Sequence, residues 1–108
     1  MKVIITQTAE DSLGEIYRYK CEYSVEHADE FLSKIYAFTT DNLSEFPHLG
    51  HVYNLERGLF RLIFAKAYNI YYTIHEQELF VLFIIDGSIS LNQELADPGV
   101  TLPELKAP

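Results

Sequence analysis

The residues best suited to chemistry lie in the second half of the chain, where Arg61, Tyr71 and His75 fall within one strongly apolar stretch, Leu59 to Ile85. His75 stands beside Glu76 and is of the type that transfers protons near neutral pH. Arg61 is the strand-borne cation that could meet a developing negative charge, with Arg57 and Lys66 close by in sequence. Tyr71 is expected on the face opposite Tyr72 and available as a surface contact. Arg61, His75 and Tyr71 are thus candidates for catalysis, though no complete acid–base pair can be assigned. Arg57, Arg61, Lys66 and Tyr71 are the candidate partner-binding residues.

Other groupings are better read as ordinary structure. His48 and His51 lie three apart beside Gly50, yet no Cys or acidic residue completes a metal-site spacing, so they read as loop histidines and no metal or cofactor is expected. Glu76-Gln77-Glu78 offers two carboxylates but nothing opposite them to form a pocket, and it reads as a solvated turn. Tyr17, Tyr19, Tyr23, Tyr68, Tyr71 and Tyr72 would make a stacking platform for bases only beside a positive groove. The net charge of −8, with eight Lys and Arg in total, counts against direct nucleic-acid binding and favours a basic protein partner. Cys21 is the one cysteine, so no disulfide forms within the chain, and its place at a helix end suits a half-buried thiol.

The elements that must position these residues can be read from periodicity. In Leu59–Ile85, Phe60, Leu62 and Phe64 alternate on one face of a first run, and Ile70, Tyr72 and Ile74 on one face of a second. The third run, Leu79 to Ile85, is apolar on both faces and is placed centrally in an antiparallel meander. Lys2 to Thr6 and His51 to Leu55 read as further short strands.

Thr8 to Asp11 offers a capping box, and Ala9, Leu13, Ile16 and Tyr17 follow at helical spacing, giving a helix from about 9 to 22. Ser24 is an N-cap candidate for a second helix whose apolar stripe runs through Ala28, Phe31, Leu32, Ile35 and Phe38, with Phe46 continuing it. Pro47 and Gly50 close that helix. The fold class is therefore α+β: a two-helix hairpin packed on a mostly antiparallel sheet in the order β-α-α-β-β-β-β.

At 108 residues with 48% hydrophobic and 22% charged residues, the chain has the composition of one globular domain with one core. Residues 1–88 are expected to form it. Residues 89–108 hold three of the four prolines and read as an extended or mobile arm. No apolar run approaches the ~20 residues a membrane span requires, and no leader is apparent, so a cytoplasmic, soluble protein is expected.

That order of elements resembles the RelE/ParE superfamily of bacterial toxins, the ParE branch more than the RelE branch. Ala9 to Tyr19 looks like its first helix and Ser24 to Ile35 its second. Leu43 to Gly50 resembles an "L-x-x-x-P-x-x-G" loop, and Tyr68 to Ile74 a "Y-x-I-x-Y-x-I" strand. The resemblance implies the toxin half of a toxin–antitoxin (plasmid stabilisation) system that acts by protein binding. Its implied partners are a cognate antitoxin, whose C-terminal segment wraps the domain, and DNA gyrase as target.

There are departures. The mRNA-cutting members keep a Tyr, His or Arg near the end of the last strand, and the ParE branch an Arg, whereas this chain runs into Ile85-Asp86-Gly87-Ser88. Two alternatives therefore stand: a RelE-type mRNA interferase using Arg61 with His75 or Tyr71, and a non-toxic member acting as an interaction module.

Overall fold

The computed structural model describes residues 1–88; the arm expected over 89–108 lies outside the described residues. The chain opens with β1 (Lys2–Ile5), then folds two helices, α1 (Gln7–Cys21) and α2 (Val25–Glu45), and closes with β2 (His51–Asn54), β3 (Leu59–Phe64), β4 (Tyr68–His75) and β5 (Glu78–Asp86). The α+β order read from the sequence is the observed one.

The first helix starts two residues earlier than its capping box suggests. Thr6, with φ −69° and ψ 161°, is the N-cap, and its hydroxyl oxygen accepts from the Ala9 amide at 3.3 Å. The same hydroxyl donates to the Val81 carbonyl at 2.7 Å, so one side chain caps α1 and ties it to β5. That double role is tertiary, and this is why Thr6 displaces Thr8, which already lies inside the helix. Asp11 accepts from the Gln7 side chain at 2.8 Å. Ser24 caps α2 as expected, accepting from His27 N at 3.2 Å. Phe46 does not continue the buried stripe. It is the C-cap of α2, turned away at φ −126° and 55% exposed, since Pro47 cannot prolong the helix.

The five strands form one sheet in the order β1-β5-β4-β3-β2. β2–β3, β3–β4 and β4–β5 pair antiparallel, and β1 joins β5 in parallel. β5 is interior, between β1 and β4, though β4 rather than β5 is the middle strand. Leu79, Val81 and Ile84 of β5 join Ile70 and Tyr72 of β4 beneath Leu13, Ile35 and Leu43 of the helix hairpin. A bulge in β5 opposite Tyr71/Tyr72 lets consecutive apolar residues serve both faces, and Phe83 and Ile85 pack with Tyr71 and Leu59 on the other side. Among the described residues no helix lies on that second face. Strand β2 ends at Asn54, one residue short of the expected Leu55, because the Asn54 side chain accepts from the Arg57 amide at 3.1 Å and turns the chain.

The hairpin is joined to itself by a polar link. Tyr36 of α2 donates to Glu10 of α1 at 2.5 Å, and burial together with that carboxylate pushes the phenol up to about 12. A phenol whose folded pKa lies above its unfolded value of about 10 adds stability that is complete below pH 10 and is lost as pH rises through the folded pKa. Melting temperature is therefore expected to fall between about pH 10 and 12, and Tyr36→Phe should flatten that part of the profile measured by circular dichroism. An equally steep fall in the variant would remove Tyr36 from the account.

Candidate functional site

Antiparallel pairing of β3 and β4 sets Arg61 directly opposite Tyr71, and pairing of β2 and β3 sets His51 opposite Arg61. The Arg61 guanidinium carbon lies 5.5 Å from the centre of the Tyr53 ring, within cation–π range. Tyr53 meets Tyr71 edge-on at 5.0 Å between ring centres. The Asn69 amide reaches the Tyr71 hydroxyl at 3.4 Å. Arg61, Tyr53, Tyr71 and Asn69 thus form one cluster on the sheet face away from the helices.

Tyr71 is on the face opposite Tyr72, as its alternation requires, but it is 2% exposed rather than a free surface contact. Packing against Tyr53, Leu59 and Phe83 accounts for the difference. Burial, then Tyr53, raises its pKa, while Asn69 and Arg61 pull the other way. The phenol stays protonated at neutral pH and suits donation or packing rather than service as a base.

His75 is not part of this cluster. It ends β4 four residues beyond Tyr71, roughly 13 Å along the strand. Its Nε2 is 3.9 Å from Glu76 Oε1 and, among the described residues, has no hydrogen-bond partner. Arg57 and Lys66 do not converge on Arg61 either. Arg57 lies in the turn before β3 and Lys66 in the turn after it, so the three cations are spread along a strand roughly 20 Å long. Lys66 also sits at φ 58°, next to Ala65 at φ 54°, where the tight β3–β4 turn imposes a left-handed backbone on two residues that disfavour it. The fold thus joins Arg61 to Tyr71 and leaves a phosphate-cleaving trio unassembled.

The remaining sequence candidates separate in the same way. His48 packs edge-on against Phe60 at 5.6 Å while His51 lies on β2, and no group of three metal-ligating side chains occurs among the described residues. Tyr17 donates to Asp29 at 2.5 Å, and Cys21 beside it is half-buried. Tyr71 and Tyr72 occupy opposite faces, so the tyrosines share no single platform.

What periodicity did not reveal is the open side of β2. It is an edge strand, paired only with β3. On it Val52 is 56% exposed, Leu55 in the turn that follows is 83% exposed, and Phe46, Leu49 and Ile63 are further exposed apolar residues. A cleft of about 270 Å³ lined by Leu49, Gly50, His51, Arg61, Leu62 and Ile63 lies where β2 begins beside β3 and includes the Arg61 position. The opposite edge, β1, is blunted. Lys2 lies on it, 3.9 Å from Glu78, and the amino group of Met1 donates to the Ser44 carbonyl at 2.8 Å. The one signal for the β2 edge was its brevity between two turn-forming segments. Which end of the sheet it would occupy depended on pairing.

A helix hairpin on one face of a β1-β5-β4-β3-β2 sheet is the α+β architecture that the toxin resemblance implies. The chain belongs to the ParE toxin family of type II toxin–antitoxin systems, parDE, which matches residues 3–90. No curated protein matches it. Toxins of this family pair with antitoxins. Among the described residues no helix is long and apolar enough to cross a membrane.

Proposed function

We propose that the chain is the toxin of a type II toxin–antitoxin pair, working in the cytoplasm by binding a target protein and neutralised by a cognate antitoxin seated on the β2 edge. Family membership supports the class of function. The observation that carries the docking surface is the open edge of β2, with Val52 exposed on it, Leu55 exposed in the turn that follows, and the Leu49–Ile63 cleft at its start. An edge strand presents unpaired backbone groups for an added strand, and side pockets give that strand its selectivity. DNA gyrase is the target that the resemblance implies, and the charge of −8 favours an antitoxin segment richer in Lys and Arg than most.

Inducible expression with and without the adjacent small open reading frame tests this. Growth arrest with altered DNA supercoiling, relieved by co-expression, is the expected result. Arrest accompanied by mRNA cuts that disappear in Arg61→Ala would overturn it in favour of an interferase, the reading that the Arg61–Tyr71 pairing supports. Silent expression of folded protein would instead favour a non-toxic interaction module.

A further inference from the structure

A second cleft, away from the β2 edge, lies between the C-terminal half of α1 and the end of β5. It measures about 300 Å³ and is lined by Glu15, Ile16, Tyr19, Tyr68, Asp86 and Ser88. Its lining combines an apolar, aromatic wall with acid. Tyr19 and Tyr68 supply aromatic surface, Ile16 an apolar one, and Glu15 and Asp86 two carboxylates. Tyr19 is 61% exposed, and it stacks edge-on with Tyr23 at 5.4 Å, their hydroxyls 3.3 Å apart. Tyr19 lies in the last turn of α1 and Tyr23 in the turn just beyond it.

We propose that this cleft binds a cationic side chain, an arginine, presented by a protein partner. A guanidinium has a planar face that stacks on tyrosine and a fork of N–H donors that matches a carboxylate, so one group satisfies both parts of the lining. Asp86 is prepared for the role. The Ser88 amide and hydroxyl donate to its Oδ1 at 2.9 and 2.8 Å, which hold the carboxyl in place and keep its pKa below the usual range. Tyr68 already meets one cation, since Lys20 Nζ lies 5.3 Å from the centre of its ring and 4.7 Å from that of Phe31, which is outside the cleft. Lys20 offsets part of the local negative charge and favours ionised Asp86, yet Glu15 and Asp86 line the cleft and Glu22 stands near Tyr19. One lysine does not balance three carboxylates. The balance of −8 over the chain attracts such a partner at longer range.

The inference goes beyond the toxin reading and does not need it, because it stands on the cleft's own residues. It also gives a role to Asp86, which occupies the end of the last strand, where the resemblance implies a basic group.

The test uses the full chain labelled for NMR and the peptide acetyl-Leu-Arg-Leu-amide, with its citrulline twin as the uncharged control. The arginine peptide is expected to shift the Tyr19 and Tyr68 ring signals and the Glu15, Ile16 and Asp86 amides. The citrulline peptide should bind roughly tenfold more weakly, and Asp86→Asn and Glu15→Gln should each weaken the arginine peptide roughly three- to fivefold, the scale of a partly screened ion pair. Glu15→Gln lies on an exposed helix position and keeps the test informative if Asp86→Asn loosens the Ser88 turn. Equal shifts with citrulline, or shifts that neither variant changes, would overturn the proposal. So would ring signals that move with protein concentration alone, pointing to a second copy, or that move in Lys106→Ala without peptide, pointing to the chain's own C-terminal segment.

Discussion

Replacing Gly50 with alanine is expected to destabilise the protein by about 2–3 kcal/mol, near the upper range for forcing atoms into packed structure. A Cβ built at Gly50 would lie 2.8 Å from the Arg61 carbonyl oxygen and 2.8 Å from the Tyr72 hydroxyl. Neither neighbour gives way cheaply. The carbonyl belongs to β3, which pairs on both sides, and the hydroxyl accepts the Gly50 amide at 2.9 Å from a ring stacked on Phe60. The reason for glycine here is room rather than backbone freedom, since Gly58 is the described glycine with positive φ. For a domain of this size the loss corresponds to a fall in melting temperature of roughly 10 °C or more. Tyr72→Phe tests the account independently. It removes one of the two obstacles but strands the Gly50 amide, at about 1–3 kcal/mol. The double variant should be less destabilised than the sum of the two, because the hydroxyl clash exists only once. Additive losses in chemical denaturation would show that the hydroxyl is not what excludes a side chain.

That contact also shows where legibility in the sequence stopped. The strands of the meander were readable because Phe60, Leu62, Phe64, Ile70, Tyr72 and Ile74 alternate without interruption, and burial of one sheet face demands such a pattern. The hairpin was readable from Ala28, Phe31 and Ile35 at helical spacing behind the Ser24 cap. Thr6 was missed as a cap because its hydroxyl is chosen by a carbonyl 75 residues away, a contact no local pattern carries. Tyr53 was missed as the neighbour of Arg61 because a bulge between Val52 and Asn54 shifts β2 against β3. The pairing of Arg61 with Tyr71 was within reach, since a hairpin turn at 65–67 sets that register. Recognising Tyr71 as buried was not, because its cover comes from β2, β3 and β5 together. Site residues far apart in sequence meet through register, and register depends on turns and bulges that alternation does not encode.

The open side of β2 leads to the second large effect. Val52→Lys, combined with Leu55→Glu, is expected to weaken antitoxin binding by roughly 10- to 100-fold, while leaving the melting temperature of the toxin alone nearly unchanged. Both side chains are more than half exposed, so their replacement removes little buried area from the free protein, and surface changes of this kind fall within about 0.5 kcal/mol. In a complex formed by strand addition Val52 would flank the incoming chain from β2 and Leu55 from the turn that follows, where a charge must be desolvated and the apolar contacts that held the segment are lost. A lysine on an edge strand is also how proteins discourage unwanted pairing, as Lys2 does on β1. Affinity by titration calorimetry gives the size of the effect, and amide hydrogen exchange locates it: residues 51–54 should gain protection in the wild-type complex and not in the variant. Tight binding by the double variant, with residues 51–54 still exchanging freely in the complex, would move the antitoxin off this edge while leaving the family assignment untouched.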